Sequence, residues 1–220
     1  RQTGRVGQGS LLTETSLLSL GAVIATLWQI HPTLILAAFL PLIAIRRSLD
    51  IPHLREQARI DGKTGLYNAS HFADLFEEEL RRAKLQSRPL SVIMADLDLL
   101  RNINNTYGHL AGDAVLAGIG RVIGRCLRES DIPARFGGEE FAILLPKITN
   151  DQAMAIAERI GQQVEETAFE IPAATAPVQV TLSLGVASYP EHGEEVGELL
   201  HQADLALYAA KLQGRNCTCA

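Results

Sequence analysis

The 220-residue chain has room for one ordinary domain plus an extra segment, and its net charge of −5 gives no electrostatic footing for nucleic acid. Three cysteines, Cys126, Cys217 and Cys219, build no disulfide framework, and an odd count suits a reducing compartment; Cys217-Thr218-Cys219 lacks a second ligand pair and reads as a tail. The chain begins with Arg1 rather than Met, as expected of a piece of something longer.

Residues 11 to 45 stand apart in composition: LLTETSLLSLGAVIATLWQI, then His31-Pro32, then TLILAAFLPLIAI, closed by Arg46-Arg47. A bilayer span takes about 20 apolar residues. The run is too long for one helix, and His31-Pro32 divides it. The expectation is a transmembrane helical hairpin within residues 1–47, with helices over 11–30 and 32–46. Tilt, or snorkelling beyond Arg46, would accommodate the short second helix. Arg1 and Arg5 before the pair and Arg46 and Arg47 after it place both ends in the cytoplasm. A buried pair of soluble helices is the competing reading; a signal peptide lacks its small-residue cleavage site. Residues 48–60, SLDIPHLREQARI, are charged and helix-prone after Pro52 and predict a connecting helix.

Residues 61–220 read as the main domain. A turn-rich stretch, Asp61 to Asn68, enters a helix capped by Asn68 or Ser70, with Phe72, Leu75, Phe76, Glu79 and Leu80 at the 3.6 period. Ser91 to Ala95 is a buried central strand ending in Asp96-Leu97-Asp98, and a long amphipathic helix starts at His109. Strands over 132–136 and 140–145 form a hairpin about Gly137-Gly138, whose positive φ a two-residue turn would use. A helix from Asp151 follows, then a strand pair or one bent strand over Val178 to Ser188. Glu194 to Gln213 is the last helix, with Leu199, Leu200, Ala203, Leu207 and Tyr208 on one face. This order predicts an α/β (α+β) fold with a mixed, largely antiparallel central sheet flanked by helices. The absence of a glycine-rich strand-to-helix phosphate loop argues against P-loop and Rossmann chemistry.

Acidic groups gather at two strand ends. Asp96 closes one strand, and Glu139-Glu140 opens another. If the hairpin pairs beside the 91–96 strand, Asp96 and Glu139 reach one sheet edge, where hard oxygens suit Mg²⁺ together with substrate phosphates. The plainer alternatives are a solvated hairpin tip and turn-capping by Asp96 and Asp98. Arg128-Glu129-Ser130-Asp131 is an R-x-x-D whose bland reading is a surface ion pair ending a helix.

Taken together, D-x-x-T-G-L-x-N (Asp61 to Asn68), D-x-D (Asp96, Asp98), N-x-x-x-G-H-x-x-G-D (Asn104 to Asp113), GGEEF (Gly137 to Phe141), S-x-G (Ser183 to Gly185) and A-K-x-x-G-R-N (Ala210 to Asn216) stand in an order that closely resembles the GGDEF family, the diguanylate cyclases, over residues 58 to 216. The resemblance implies a palm like that of nucleotidyl cyclases. It also implies condensation of two GTP into cyclic di-GMP and two pyrophosphates by a homodimer with one GTP per domain. By the same resemblance, Asp96, Glu139 and the Leu97 carbonyl would hold Mg²⁺ (or Mn²⁺), two ions per site. Glu139, or else Glu140, would help activate the ribose 3′-hydroxyl. Asn104 and Asp113 match the guanine-reading pair, with His109 in the same motif, and Gly137-Gly138 would let backbone lie against the nucleotide. Lys211 and Arg215, at i, i+4 on one helix face, match the phosphate-binding cations. Arg128 and Asp131, with Arg159 as a second cation, match an inhibitory product site. Leu100-Arg101 departs from the family's usual Phe-Lys, so Arg101 brings a planar fork near the triphosphate where a point charge is usual. With the hairpin upstream, the expected location is the bacterial inner membrane, catalytic domain in the cytoplasm. A catalytically weak cyclic di-GMP receptor or scaffold is the alternative. A mixed product containing adenosine is disfavoured by the carboxylate at Asp113.

Overall fold

A strand buried along its whole length needs a layer on each side, and residues Leu90–Leu97 are such a strand. The computed structural model describes residues 59–172 and 174–220. The expected transmembrane hairpin, and the connecting helix up to residue 58, lie outside them. Arg59 and Ile60, the last two residues assigned to that helix, are not helical. Ile60 bridges Tyr67 antiparallel, and Asn68 N donates to Arg59 O at 3.0 Å, so these backbone groups are already turned into the domain's entry loop. Among the described residues no helix is long and apolar enough to cross a membrane.

The elements run β1 (Tyr67–Asn68), α1 (Ala69–Gln86), β2 (Leu90–Leu97), α2 (Leu100–Tyr107), α3 (His109–Cys126), β3 (Ile132–Arg135), β4 (Glu140–Pro146), α4 (Asn150–Glu166), β5 (Leu182–Tyr189), α5 (Val196–Leu212) and β6 (Thr218–Cys219). They build a six-stranded sheet in the order β1-β3-β4-β2-β5-β6. β2 is antiparallel to both β4 and β5, and only the short edge pairs β1–β3 and β5–β6 are parallel. The mixed, largely antiparallel sheet expected from the element order is therefore present.

Alternation along β2 explains the layering. Ile93, Ala95 and Leu97 face a core shared with Val115, Ile119 and Ile123 of α3 and Ala157, Ile160 and Val164 of α4. Val92 and Met94 face the other core, with Phe72, Phe76 and Leu80 of α1 and Leu199, Ala203 and Leu207 of α5. Asn68 caps α1 as expected, its side chain accepting from His71 N at 2.9 Å.

Four local expectations are decided or corrected. Of the strand pair and the single strand expected for Val178 to Ser188, the single strand is present, though only from Leu182; Val178 only bridges Phe169, so no hairpin forms there. The hairpin connection is longer than two residues. β3 ends at Arg135 and β4 starts at Glu140, with Phe136 N and Gly137 N both donating to Glu140 O. Neither Gly137 nor Gly138 has positive φ. A Cβ at Gly137 would meet only the Glu140 carboxylate, the end of a side chain that can swing aside, and Gly138 faces open space. Third, α5 stops at Leu212 and Arg215 lies beyond it with φ 70°, so Lys211 and Arg215 do not share a helix face. Fourth, Tyr208 is exposed rather than packed with Leu207.

Candidate active site

The register of β2 and β4 decides what meets at the sheet edge. Asp96 stands opposite Glu140, and Leu97 N donates to Glu139 O at 3.1 Å. Asp96 and Glu139 are thereby neighbours at the C-terminal end of β2, as the sequence reading required. Burial pushes the Asp96 carboxyl above its ordinary value, although the Lys211 ammonium, 2.9 Å away, pulls the other way. Glu139 is raised as well, first by burial and then by the negative charge of Asp96. Two carboxylates held against their own electrostatics form a place where positive charge is favoured, and one lysine already answers it.

The donor chemistry fits Mg²⁺ or Mn²⁺: two carboxylates and, at Leu97, a backbone carbonyl, all hard oxygens. Among the described residues no group of three or more His, Cys, Asp or Glu side chains could hold a metal ion. Mg²⁺ typically keeps waters and takes substrate phosphates beside one or two carboxylates, so two acids are a sufficient protein share.

Asp98, one residue past β2 and on from Asp96, is wholly engaged. It accepts from Thr181 Oγ1 and Ser183 Oγ at 2.7 Å each and from Asn216 N at 3.2 Å, and Arg215 Nε lies 3.9 Å away. It ties the chain after α5 to the start of β5, a positioning role. Gly185 completes that arrangement: a Cβ there would collide with Ala203 O and Leu207 N, so α5 lies backbone-close on the sheet and its last turn carries Lys211 to Asp96. The S-x-G motif thus has a physical account in both residues. Arg215, expected beside the triphosphate with Lys211, sits at Asp98 and is half-exposed.

Asn104 on α2 and Asp113 on α3 flank the bend at Gly108, whose φ is 85°, and Asn104 packs on Gly112, the residue before Asp113. Asn104 Oδ1 is buried without a hydrogen-bond partner, pressed on Gly112, where any Cβ would collide with it. Asp113 is partly exposed and pairs with Lys63 Nζ at 2.6 Å. His109 opens α3 and is exposed, and Arg101 is exposed on the first turn of α2; neither side chain pairs with another group among the described residues. Leu100, beside it, is buried in the core.

Sequence reasoning missed Arg135. Its Nη2 donates to Gly138 O at 2.7 Å and its Nε to Gly137 O at 3.2 Å, while Nη1 meets Asp61 Oδ2 at 3.3 Å. One guanidinium therefore fixes the glycine turn and the entry loop together. Burial alone would raise Asp61, but hydrogen bonds from Thr64 and the Arg135 charge take it below its ordinary value. An arginine just before a glycine turn was the available signal.

Arg128, Asp131 and Arg159 line one open cavity of about 640 Å³ between the end of α3 and α4. Arg128 is not on a helix, because α3 ends at Cys126. Asp131 is buried and accepts from Arg128 Nε at 2.8 Å and Arg128 N at 3.2 Å, so the pair is a closed turn rather than a loose surface contact. Arg159 Nη2 donates to Cys126 O at 2.9 Å, which brings α4's cation to the same corner.

The sequence model of the family described as "Diguanylate cyclase, GGDEF domain" matches residues 58–217. The chain belongs to the GGDEF family. It is 39% identical over 182 residues to diguanylate cyclase A of Treponema denticola, covering 81% of this chain and 47% of that protein. It spans under half the length of the first curated relatives it matches. Among solved structures it is similar to the GGDEF domain of PA1120 (TpbB or YfiN) from Pseudomonas aeruginosa, with 38% identity and a TM-score of 0.68, covering 72% of this chain and 91% of that one. It is also similar to the GGDEF domain of DgcB from Caulobacter crescentus in complex with c-di-GMP, with 30% identity and a TM-score of 0.70, covering 74% of this chain and 93% of that one.

Proposed function

We propose that this GGDEF domain condenses two GTP into cyclic di-GMP, releasing two pyrophosphates, as a homodimer in which each domain brings one GTP. The observation that supports this best is the β2–β4 register, which sets Asp96 beside Glu139 at one sheet edge with Lys211 over them. Asp96, Glu139 and the Leu97 carbonyl would hold Mg²⁺ or Mn²⁺, two ions per site. The metal, when bound, would neutralise phosphate charge and make the ribose 3′-hydroxyl more acidic. Glu139, its carboxyl shifted upward by burial and by the Asp96 charge, would be the proton acceptor, with Glu140 next in line. Lys211, released from Asp96 as phosphate arrives, would hold the triphosphate; Arg215 joins it only by leaving Asp98. Arg101, exposed beside this edge, would reach the same phosphates.

Asp113 would accept from guanine N1–H and the 2-amine, a pair adenine cannot offer. Asn104, whose Oδ1 end is buried, would present its amide donors to another position on the base, with His109 flanking. Gly138, with open space where a Cβ would stand, would let backbone lie against the nucleotide. The Arg128–Asp131–Arg159 cavity would bind the product as an inhibitor, guanidinium forks meeting guanine or phosphate. Upstream, residues 1–47 are proposed to anchor the domain to the bacterial inner membrane through a transmembrane hairpin, leaving the domain in the cytoplasm; their apolar runs and flanking arginines support this.

The test is incubation of the full chain with GTP and Mg²⁺, and with GTP plus ATP, reading products by mass. Cyclic di-GMP alone is expected, and a chain that forms none while binding it would be the receptor instead. Product inhibition is checked by a rate series with added cyclic di-GMP for wild type and Arg128→Ala. The variant should keep its basal rate and lose the inhibition; equal inhibition in both would leave Arg128 and Asp131 as a structural turn.

A further inference from the structure

Lys63 lies in the entry loop, and the structure builds that loop to aim it. Asp61 Oδ1 accepts from Lys63 N at 3.2 Å, from Thr64 N at 2.9 Å and from Thr64 Oγ1 at 2.8 Å, closing a tight turn. The next residue, Thr64, is buried against α3 so closely that a Cβ at Gly120 would collide with Thr64 O. Gly120 and Asp113 lie two turns apart on α3, so the helix that anchors the loop is the helix that carries the carboxylate. Lys63 Nζ meets Asp113 Oδ1 at 2.6 Å, with both side chains partly open to solvent.

This pairing leaves Asp113 able to bind more. A carboxylate has about four lone-pair sites, and an ammonium has three donors, so neither group is exhausted by one contact. Guanine's Watson–Crick edge runs donor, donor, acceptor: the 2-amine, N1–H and O6. Asp113 with Lys63 beside it runs acceptor, acceptor, donor. Adenine presents a donor amine at position 6, which would face the ammonium head on.

We propose that Lys63 is a specificity-determining residue that donates to the O6 of the bound guanine while Asp113 accepts from N1–H and the 2-amine. The inference rests on the assignment of Asp113 to the base. Lys63 thereby reads the position where a 6-oxopurine and a 6-aminopurine differ, and its ion pair with Asp113 keeps the donor in place before the base arrives.

The experiment is binding of non-reacting GTP, ITP and ATP analogues to the full chain and to Lys63→Met, which keeps the apolar stem and removes the ammonium. Loss of a charged donor to O6 should weaken GTP and ITP binding about tenfold each. It should leave ATP binding unchanged or tighten it, because the ammonium that opposes adenine's 6-amine is gone, and keep the GTP-to-ITP ratio intact, because ITP lacks only the 2-amine. Equal weakening of all three nucleotides would make Lys63 a remote charge on the triphosphate and overturn the proposal. Unchanged or tighter GTP binding would overturn it too, the latter by showing that Lys63 competes with the base for Asp113. Failure of the underlying assignment is separately visible: Asp113→Asn with wild-type GTP affinity would remove the base site itself, whatever Lys63→Met does.

Discussion

The two ends of β2 are equally buried and follow opposite rules. At the N-terminal end, Ser91 Oγ donates to Ile148 O at 2.7 Å and bonds Ser188 Oγ at 2.7 Å, with Asn150 Oδ1 3.2 Å beyond. These groups are neutral and matched, which is how a buried polar cluster stabilises a fold. At the C-terminal end, Asp96 and Glu139 are charged, crowded and answered by one lysine. The contrast shows that the second arrangement is not required by the strand. Five residues away the same sheet satisfies its polar groups completely, so the unfavourable end is where the molecule holds charge for a ligand to meet. Asp98 sharpens the point, since only two residues from Asp96 it has partners on every side.

The comparison breaks if substitutions at the two ends have the same effect. The largest expected effect is on turnover: Asp96→Asn and Glu139→Ala should each lower the rate of cyclic di-GMP formation by about a thousandfold or more, the scale of losing transition-state charge stabilisation. Their thermal midpoints should stay at or above wild type, because the charges removed are ones that burial disfavours. Product formation by mass and thermal unfolding of the same samples check both halves. A variant with near-normal rate would detach these acids from the chemistry.

Ser91→Ala should do the reverse. Removing the hydroxyl strands the buried Ile148 carbonyl and loosens Ser188, at a cost of about 1–3 kcal/mol, or several degrees in Tm for a domain of this size. The rate well below Tm should match wild type. Reduced kcat at unchanged Tm would mean that the two ends of β2 are coupled.

Much of this contrast was legible beforehand, and for physical reasons. Burial on both faces made Ser91 to Ala95 a central strand, and strand-end acids flanking it could meet only if the hairpin paired alongside, as it does. Periodicity found the helices carrying Phe72 and Leu199. The expected helix end at Gln213 already put Arg215 beyond α5; the i, i+4 spacing of Lys211 and Arg215 overrode it wrongly, since that spacing persists whether or not the helix continues. The Gly137-Gly138 turn was misjudged because the connection runs over four residues, and neither glycine adopts the positive φ that a two-residue turn would need. Lys63 was silent in the sequence, since it acts through a partner 50 residues away, and Arg135 showed only its place before the glycines, not its partner Asp61 74 residues away.

The smallest expected effect is a pH dependence confined to one end. In the folded protein the Glu139 carboxyl stands above its ordinary value of 4.5, first through burial and then through the neighbouring Asp96 charge. Between the ordinary value and the raised one, the folded protein binds more protons than the unfolded chain, so stability falls as pH rises through that window. Asp96 acts with the same sign, since burial outweighs its Lys211 partner. Asp61 acts with the opposite sign, its carboxyl being lowered in the fold, but it is common to wild type and variant and cancels in their difference. Glu139→Gln should therefore have a Tm about one or two degrees above wild type at neutral pH. The gap should close on the acid side of the ordinary carboxylate range, where Glu139 is uncharged in both states. The scans belong in chelator, because a divalent ion bound to the folded state would favour the charged carboxylate and hide the effect. A Glu139→Gln protein less stable than wild type at neutral pH, without metal, would mean that Lys211 neutralises this edge fully, and the two ends of β2 would then differ in composition but not in strain.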